Sequence, residues 1–428
     1  MRWALWLLGL FGVAVAMALG LGVQWGTVTV FVPPHRIDLS LNLALLLLAL
    51  VFLLPYAALR AVRRLLELPA QARRWRLQQR ERAAQQGLLQ AMVMWMAGRF
   101  LRARKASLQA LQQVDHLLDA GDTPQTPSWR LMHSLLHLLA AENAHALRDQ
   151  GARDAHFQQA LGLSSGLRVA HRLELRDAAY LNATRWALHD RDSQQAHQHL
   201  AQLPLGVARR TVALRLRLKT DRLAQQPLPA LETARLLAKH GAFSATAARS
   251  LLRGLAIAAL DDGRDIHQLQ SAWAQLLAEE RGLPDVALHA AQRCLDLKGD
   301  PHVALQWLWP IWSMWVGSPD LLDANQKSKL ALTFSAALWE APPESEWLAR
   351  IEEARLRNPR SLELQYLSGM VCLRHGLWGK AQQMLEQVAP RLGSGSLQRQ
   401  TWRALAELAE QKGDSAQALA CWKLSAKV

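Results

Sequence analysis

Two uncharged apolar segments near the N-terminus restrict what this chain can fold into. Residues 3–23 and residues 39–59 are each 21 residues long and contain no Asp, Glu, Lys or Arg. A helix of about 20 apolar residues crosses the hydrocarbon core of a bilayer, which is about 30 Å thick. The sequence therefore predicts two transmembrane helices within a membrane anchor over residues 1–59. A cleaved signal peptide is the alternative for the first segment, because the tripeptide AMA at 16–18 resembles a cleavage site.

Basic residues follow the second apolar segment directly and set the predicted orientation. Residues 60–105 hold twelve Lys and Arg against two Glu, so they carry a net charge of +10 out of +15 for the whole chain. The loop at 24–38 holds one Arg and one Asp. Cytoplasmic flanks of membrane spans are rich in Lys and Arg. We therefore expect a periplasmic loop and a multi-pass protein of the bacterial inner membrane, with residues 60–428 on the cytoplasmic side.

The same basic stretch predicts contact with anionic lipid headgroups. Residues 60–84 place leucines among arginines at helical spacing, which predicts a juxtamembrane helix held against the bilayer surface. The predicted headgroup contacts are Arg60, Arg63, Arg64, Arg73, Arg74 and Arg76. Nucleic-acid binding is the rival explanation of this charge. No nucleic-acid recognition motif accompanies the arginines, so a nucleic-acid partner is not expected.

The remainder of the chain has the pattern of a helical-repeat protein. From residue 85 onward, apolar residues recur at helical spacing between short breaks that contain Gly or Pro. The one strand-like run is TVTVFV at 27–32. The expected fold is therefore all-α, with two N-terminal transmembrane helices followed by a tetratricopeptide-like superhelix over residues 85–428. Within it, residues 160–350 are predicted to be helical, without an assigned repeat count.

A repeat is visible near the C-terminus. Residues 373–387 align with residues 409–425 at an offset of 37, close to the 34-residue period of tetratricopeptide repeats. Gly is predicted to end the first helix of a pair in a left-handed conformation. The pattern of Gly followed two residues later by an aromatic residue recurs at Gly98, Gly241 and Gly376. In such arrays the first helices line a concave surface, which here predicts a partner-binding face of Tyr366, Met370, Arg374 and Arg403.

Residues that could carry chemistry do not form a recognisable site. His133 and His137 share one face of a predicted helix and His145 follows, but the sequence indicates no third metal ligand and no supporting carboxylate. The motifs HExxH, GxGxxG and the P-loop are absent from the sequence. We therefore expect no catalytic, cofactor-binding or metal-binding residues, and no enzyme activity.

Cysteines and tryptophans are interpreted as core residues. Three widely spaced cysteines predict free thiols in a reducing compartment: Cys294, Cys372 and Cys421. Four tryptophans lie close together and are predicted to pack in the core, with Pro310 between two helices: Trp307, Trp309, Trp312 and Trp315. A binding groove and a bound tetrapyrrole are the alternatives for the tryptophan cluster.

Several segments together resemble the HemY family. They are the GTVTV loop at 26–30, the arginine-rich segment after the second apolar run, LLAAENA at 138–144 and RHGLWGKA at 374–381. The resemblance implies an inner-membrane tetratricopeptide protein of proteobacteria, associated with haem biosynthesis. It implies a non-enzymatic scaffold or regulator at a late step of protohaem formation, with proteins of the late haem pathway as partners. It brings no catalytic residues.

The family name needs one distinction. It is also used for an unrelated flavin-dependent protoporphyrinogen oxidase, whose nucleotide-binding glycine motif this chain lacks. An adaptor for a different cell-envelope complex is the alternative function, since nothing in the residues alone requires haem. The sequence leaves open the identity of the partners and whether a porphyrin is bound directly.

Overall fold

The chain divides into two compact units, Met1–Arg172 and Leu173–Val428. This computed structural model describes Val13 and residues 26–119, 127–165, 167–343, 345–393 and 395–427. The predicted first transmembrane segment, residues 3–23, lies outside the described residues apart from Val13. Among the helices within the described part, none combines the length and the apolar character that a membrane crossing requires.

A β-hairpin precedes the first described helix. Strand β1 (Thr27–Val32) pairs antiparallel with strand β2 (His35–Ser40) across a two-residue turn. The strand-like run at 27–32 is thus confirmed, and β2 is an addition to the prediction. Ile37 and Leu39 alternate with charged residues in β2, but this short pattern adjoins the long apolar segment, which masks it in the sequence.

A single helix, α1, runs from Leu41 to Met96 over 56 residues. Ser40 caps its N-terminus, since the Ser40 hydroxyl oxygen accepts a hydrogen bond from the Leu43 amide at 3.4 Å. The helix predicted over residues 60–84 is present as part of α1, which continues through both of its predicted boundaries. Leu, Ala, Gln and Arg all favour helix, so a change from apolar to basic residues does not interrupt the backbone.

Three further helices pack with the C-terminal part of α1 in the N-terminal unit. They are α2 (Phe100–Asp119), α3 (Pro127–Ala146) and α4 (Gln150–Ser164). Helices α1 and α2 approach so closely at Gly87 that a Cβ atom there would lie 2.8 Å from the Ala110 Cβ. A shared apolar cluster fills the space between these helices and includes Ala84, Leu111, Val114, Trp129 and Leu136.

The C-terminal unit consists of helices joined by short turns. Its helices are α5 (Val169–His189), α6 (Ser193–Ala201), α7 (Leu205–Ala208), α8 (Thr211–Leu223), α9 (Pro227–Lys239), α10 (Ala245–Asp261), α11 (Ile266–Gln275), α12 (Ala278–Arg281), α13 (Pro284–Asp296), α14 (Pro301–Gly317), α15 (Ala324–Glu340), α16 (Ser345–Arg357), α17 (Leu362–Arg374), α18 (Trp378–Val388), α19 (Ser396–Gln411) and α20 (Ser415–Lys427). A 3-10 turn at Pro319–Leu321 precedes α15. Consecutive helices pack in pairs, such as α13 with α14 and α19 with α20. Apart from the hairpin, the described chain is helical, which confirms the all-α prediction.

Left-handed residues end the first helix of several pairs. The predicted glycine caps are confirmed, with positive φ at Gly98, Gly241 and Gly376, and also at Gly413. Four non-glycine residues adopt the same conformation, with φ between 54° and 61°: Arg148, Arg191, Gln225 and Lys298. Three of these four residues lie within residues 160–350, so most of the left-handed turns there lack the glycine signal, which explains why no repeat boundaries were predicted in that range.

Tryptophan packing agrees with the core interpretation for three of the four residues. Trp307, Trp312 and Trp315 are buried, with 7%, 4% and 1% of their surface exposed, whereas Trp309 is 41% exposed. The prediction that Pro310 separates two helices is wrong, since α14 continues through it. Burial of large side chains on both sides of the proline offsets the hydrogen bond that it removes.

Glu280 and the three cysteines are buried in the C-terminal unit. Glu280 is 4% exposed, and its carboxylate accepts hydrogen bonds from Arg235 at 2.8 and 2.6 Å. This bidentate pair links α9 to α12. The three cysteines are buried and free, as predicted. Burial raises the pKa of the Cys294 thiol to about 11, so the thiol is protonated at neutral pH.

Lys298→Gly is expected to stabilise the C-terminal unit. Lys298 is exposed and has a φ of 54°, a conformation that costs a non-glycine residue about 1 kcal/mol and glycine little. We expect the free energy of unfolding in urea to rise by roughly 0.5–1 kcal/mol. Lys298→Ala is the matched control, because it removes the same side chain and keeps the strained backbone. An equal gain for both variants would contradict the interpretation.

Candidate functional site

A groove of about 1260 Å³ crosses one face of the C-terminal unit. Side chains of five helices line it: α10, α13, α15, α17 and α19. Helices α13, α17 and α19 are each the first of a packed pair, with α14, α18 and α20 as the second, whereas α10 follows the Gly241 turn and packs with α9.

Apolar side chains form the floor of the groove. Leu288 is buried, while Leu332 and Met370 are half-buried, so part of each side chain faces the open space. Trp339 is 43% exposed on the same surface. Half-buried apolar side chains in a concave site can bury the apolar face of a peptide or helix.

Charged residues of both signs surround this floor. Arg253 pairs with Asp285 at 2.7 Å, and Arg403 pairs with Glu407 at 3.1 Å. The remaining charged lining residues, which form no ion pair with any described residue, are Lys329, Asp296 and Glu340. These charges can orient a bound segment, since complementary charges at a rim contribute more to specificity than to affinity.

The structure separates the four predicted partner-face residues. Met370 and Arg403 line the groove, and Arg403 is exposed. Tyr366 also borders it, but the expectation that Tyr366 is exposed is wrong, since only 1% of its surface is accessible. Its hydroxyl donates a hydrogen bond to the Ser335 hydroxyl at 3.5 Å, and burial raises its pKa to about 12. Partner binding by these residues stays a prediction.

Arg374 supports the groove from behind. Its guanidinium lies 5.7 Å from the centre of the Trp339 ring and donates a hydrogen bond to the Ala341 carbonyl oxygen at 3.2 Å. A guanidinium stacked on an indole restricts the rotation of the ring. Arg374 therefore positions Trp339 in the groove wall. Trp339 carried no repeat signature, and the sequence analysis did not single it out.

The predicted headgroup contacts all lie on α1. The side chain of Arg60 is exposed, and for Arg63, Arg64, Arg73, Arg74 and Arg76 the structure describes the helical backbone alone. An uninterrupted helix rises 1.5 Å per residue, so Arg76 lies about 25 Å along the axis from Leu59. A helix that crossed a bilayer up to Leu59 would carry Arg73–Arg76 away from the headgroups. Headgroup contact by the three arginines nearest Leu59 stays a prediction.

Three histidines meet in the N-terminal unit. His137 Nε2 lies 3.2 Å from His133 Nε2, and His137 Nδ1 lies 3.0 Å from His156 Nδ1. A cavity of about 580 Å³ adjoins them, and Asp115 lies 3.6 Å from His133 on its edge. The sequence identified the pair on α3 but missed His156, because α4 brings it in from 19 residues away. His145 lies outside this cluster.

The histidine cluster favours the neutral form of its central ring. Burial, together with the neighbouring imidazoles of His133 and His156, lowers the pKa of His137 to about 4. In the neutral state one His137 nitrogen donates a hydrogen bond and the other accepts one. Within the described residues, no group of three or more His, Cys, Asp or Glu side chains has the geometry to hold a metal ion.

Acid is expected to destabilise the N-terminal unit through His137. The pKa is about 4 in the folded chain and about 6.5 unfolded, so between these values the unfolded chain binds the proton first. Stability is therefore complete above pH 6.5 and is lost as the pH falls towards 4, by roughly 3 kcal/mol at most. Hydrogen exchange of α3 and α4 at pH 7.5 and 5 measures this. His137→Leu should make the stability of the N-terminal unit less dependent on pH. His116→Leu, which replaces an exposed histidine, should leave the pH dependence unchanged. Equal slopes in both variants would contradict it.

Comparison with known proteins finds one family model that is similar to the N-terminal region. The model of the family described as the HemY protein N-terminus matches residues 26–120. That range contains the hairpin, α1 and all of α2, and thus the GTVTV loop and the arginine-rich segment. No curated protein sequence matches the chain.

Solved structures of helical proteins resemble parts of the chain at low similarity. Yeast Tom70 is 13% identical with a TM-score of 0.30, and the match covers 73% of this chain and 60% of that one. The Cut9-Hcn1 hetero-tetramer of APC/C is 14% identical with a TM-score of 0.30, and the match covers 79% of this chain and 65% of that one. The P58(IPK) TPR domain is 13% identical with a TM-score of 0.22, and the match covers 77% of this chain and 99% of that one. The chain thus spans about 60% of the length of Tom70. Residues 26–120 of this chain are thus similar to the N-terminal region of the HemY family, in agreement with the resemblance found in the sequence.

Proposed function

We propose that the chain is a non-enzymatic, membrane-anchored adaptor that acts at a late step of protohaem formation. Its partners would be proteins of the late haem pathway, and the groove of the C-terminal unit would be the surface that binds them. The observation that carries the adaptor role is the groove itself, which combines a half-buried apolar floor, exposed Trp339 and charges of both signs. The haem assignment is supported by the match to the HemY N-terminal region.

Tethering explains how an adaptor without catalytic residues could raise pathway flux. Two enzymes held by one chain meet at an effective concentration set by the tether, which reaches the millimolar range for short linkers. A poorly soluble porphyrin would then travel a short distance between them. The groove would bind an amphipathic segment of a partner, with its apolar face on Leu332, Met370 and Trp339 and its charged flanks near Lys329 and Glu340.

The membrane anchor is part of this proposal and is supported by the sequence. Residues 3–23 and 39–59 are uncharged, and basic residues follow the second segment. Along α1 the described apolar side chains before Arg60 are solvent-exposed, including Leu48, Leu54 and Leu59 at 55%, 58% and 64%. Exposed leucines such as these three are what a lipid environment would cover. The inner-membrane location with cytoplasmic helical units follows from the same charge pattern.

A variant with an altered groove is expected to cause the same porphyrin accumulation as the absence of the whole protein. Cells that lack this protein should accumulate porphyrin precursors, measured by their fluorescence after chromatography, and the wild-type chain should reverse this. Trp339→Ser removes the exposed indole of the groove and should fail to reverse it. Trp378→Ser is the matched control, since Trp378 is 51% exposed on α18 outside the groove and Trp339 is 43% exposed.

Each part of the proposal can fail separately in this experiment. Unchanged precursor levels in cells without the chain would contradict the haem assignment and favour an adaptor for another envelope complex. Accumulation that Trp339→Ser reverses as well as wild type would retain the haem role and contradict the groove. Oxidation of a porphyrinogen by the purified chain would contradict a non-enzymatic adaptor. Both tryptophan variants need wild-type melting temperatures for the comparison to be valid.

A further inference from the structure

A second apolar surface lies on α1, in the other unit of the chain. Leu89, Met92, Val93 and Met96 are spaced i, i+3, i+4 and i+7, so they share one face of the helix over two turns. Their exposed fractions are 62%, 44%, 66% and 77%. We call these four side chains the α1 stripe. A contiguous apolar strip of this kind marks an interaction site, unlike a single exposed leucine.

The opposite face of the same helix is already packed. Ala84 and Ala91 are fully buried, and the close approach of Gly87 to Ala110 fixes which side of α1 faces α2. Rotating α1 to bury the stripe would bring larger side chains into a contact that has room for glycine and alanine. The stripe is therefore a stable outward surface of the folded unit.

Unpaired positive charge brackets the α1 stripe at both ends. Arg80 and Arg82 precede it on α1, Arg99 lies in the turn that follows α1, and Arg102 and Lys105 lie in the first two turns of α2. All five side chains are exposed, and no described residue forms an ion pair with any of them. Arg104 differs, since it pairs with Asp149 at 2.8 Å. Between residues 80 and 105 the one acidic residue is Glu81.

From this pattern we infer that the α1 stripe binds an amphipathic helix of another protein with acidic residues at both ends. The apolar face of that helix would cover Met92, Val93 and Met96, and its carboxylates would meet the two basic groups. From Arg82 to Met96, where α1 ends, the helix extends about 21 Å, and Arg99 lies in the turn just beyond, so a partner helix of similar length would fit. Charge complementarity of this kind selects the partner and speeds association.

Two other occupants fit the charges less well. A second copy of this chain would place one set of arginines against another, and like charges oppose association. A bilayer surface would attract the arginines, but Leu89 lies about 45 Å along α1 from Leu59. If residues 39–59 cross the membrane, the stripe is held away from it. The inference concerns a different surface from the groove and does not depend on the haem assignment.

Binding of two synthetic helices tests the charge preference. Both carry leucines at i, i+3, i+4 and i+7, one with Glu at each end and the other with Lys, and fluorescence anisotropy with the full-length protein measures their affinity. The acidic helix should bind at least about tenfold tighter, and added salt should weaken it. Arg99→Glu with Arg102→Glu should reverse the preference. Equal binding of both helices would overturn the inference.

Stripe variants locate the binding. The double variant Val93→Gln with Met96→Gln should bind the acidic helix at least about tenfold more weakly. It removes two apolar side chains that the bound helix would bury. The control is Leu356→Gln with Leu419→Gln, which changes side chains that are 66% and 57% exposed in the other unit. Unchanged binding in the stripe variant, with a wild-type melting temperature, would overturn the assignment.

The natural occupant is identified by a photocrosslinker in place of Val93, in the full-length protein in its native membrane. The inference expects crosslinked peptides from another protein with apolar helical spacing and acidic ends. Crosslinks confined to this chain would indicate a second copy, and crosslinks confined to lipid would indicate a membrane surface. If the full-length protein binds vesicles of phosphatidylglycerol and phosphatidylcholine and the stripe variant does not, this would also indicate a membrane surface. Each of these outcomes overturns the inference.

Discussion

Close packing between consecutive helices is the constraint on which the rest of the structure depends. A short helix cannot bury its apolar face alone, so each helix must meet its neighbour across small residues. At Gly369 a Cβ atom would lie 2.7 Å from the Leu385 Cδ2 atom, so α17 and α18 approach at a position that excludes larger residues. Left-handed turns, such as that at Gly376, reverse the chain tightly enough to make the contact. The groove forms along α10, α13, α15, α17 and α19, three of which are the first helices of such pairs.

Local signals in the sequence predicted the features that local chemistry determines. The glycine turns, the all-α composition, the first strand and the burial of Trp312 and Trp315 follow from propensity, periodicity and size. The structure departs from prediction where tertiary contacts decide. Tight packing holds Lys298 in a left-handed turn without glycine, and a helix continues through Pro310 because aromatic side chains surround it.

The candidate sites were less predictable than the fold because they combine distant segments. Helical spacing placed Tyr366 on the first helix of its pair, but the neighbouring helix buries it. Trp339 entered the site through Arg374, which lies 35 residues further along the chain. The ring of His156 reaches His137 from another helix. Periodicity along one helix contains no information about which neighbour will cover a given face.

The proposed adaptor has two surfaces of different chemistry, each suited to a different partner. The groove offers apolar contacts with charges of both signs, and the α1 stripe offers apolar contacts with positive charge alone. Such surfaces select different partners, which is what an adaptor that brings proteins together requires. The most direct test places a photocrosslinker at Met370 in the native membrane and identifies the attached proteins by mass spectrometry. The account predicts enzymes of late haem formation, and crosslinks to unrelated envelope proteins alone would contradict it.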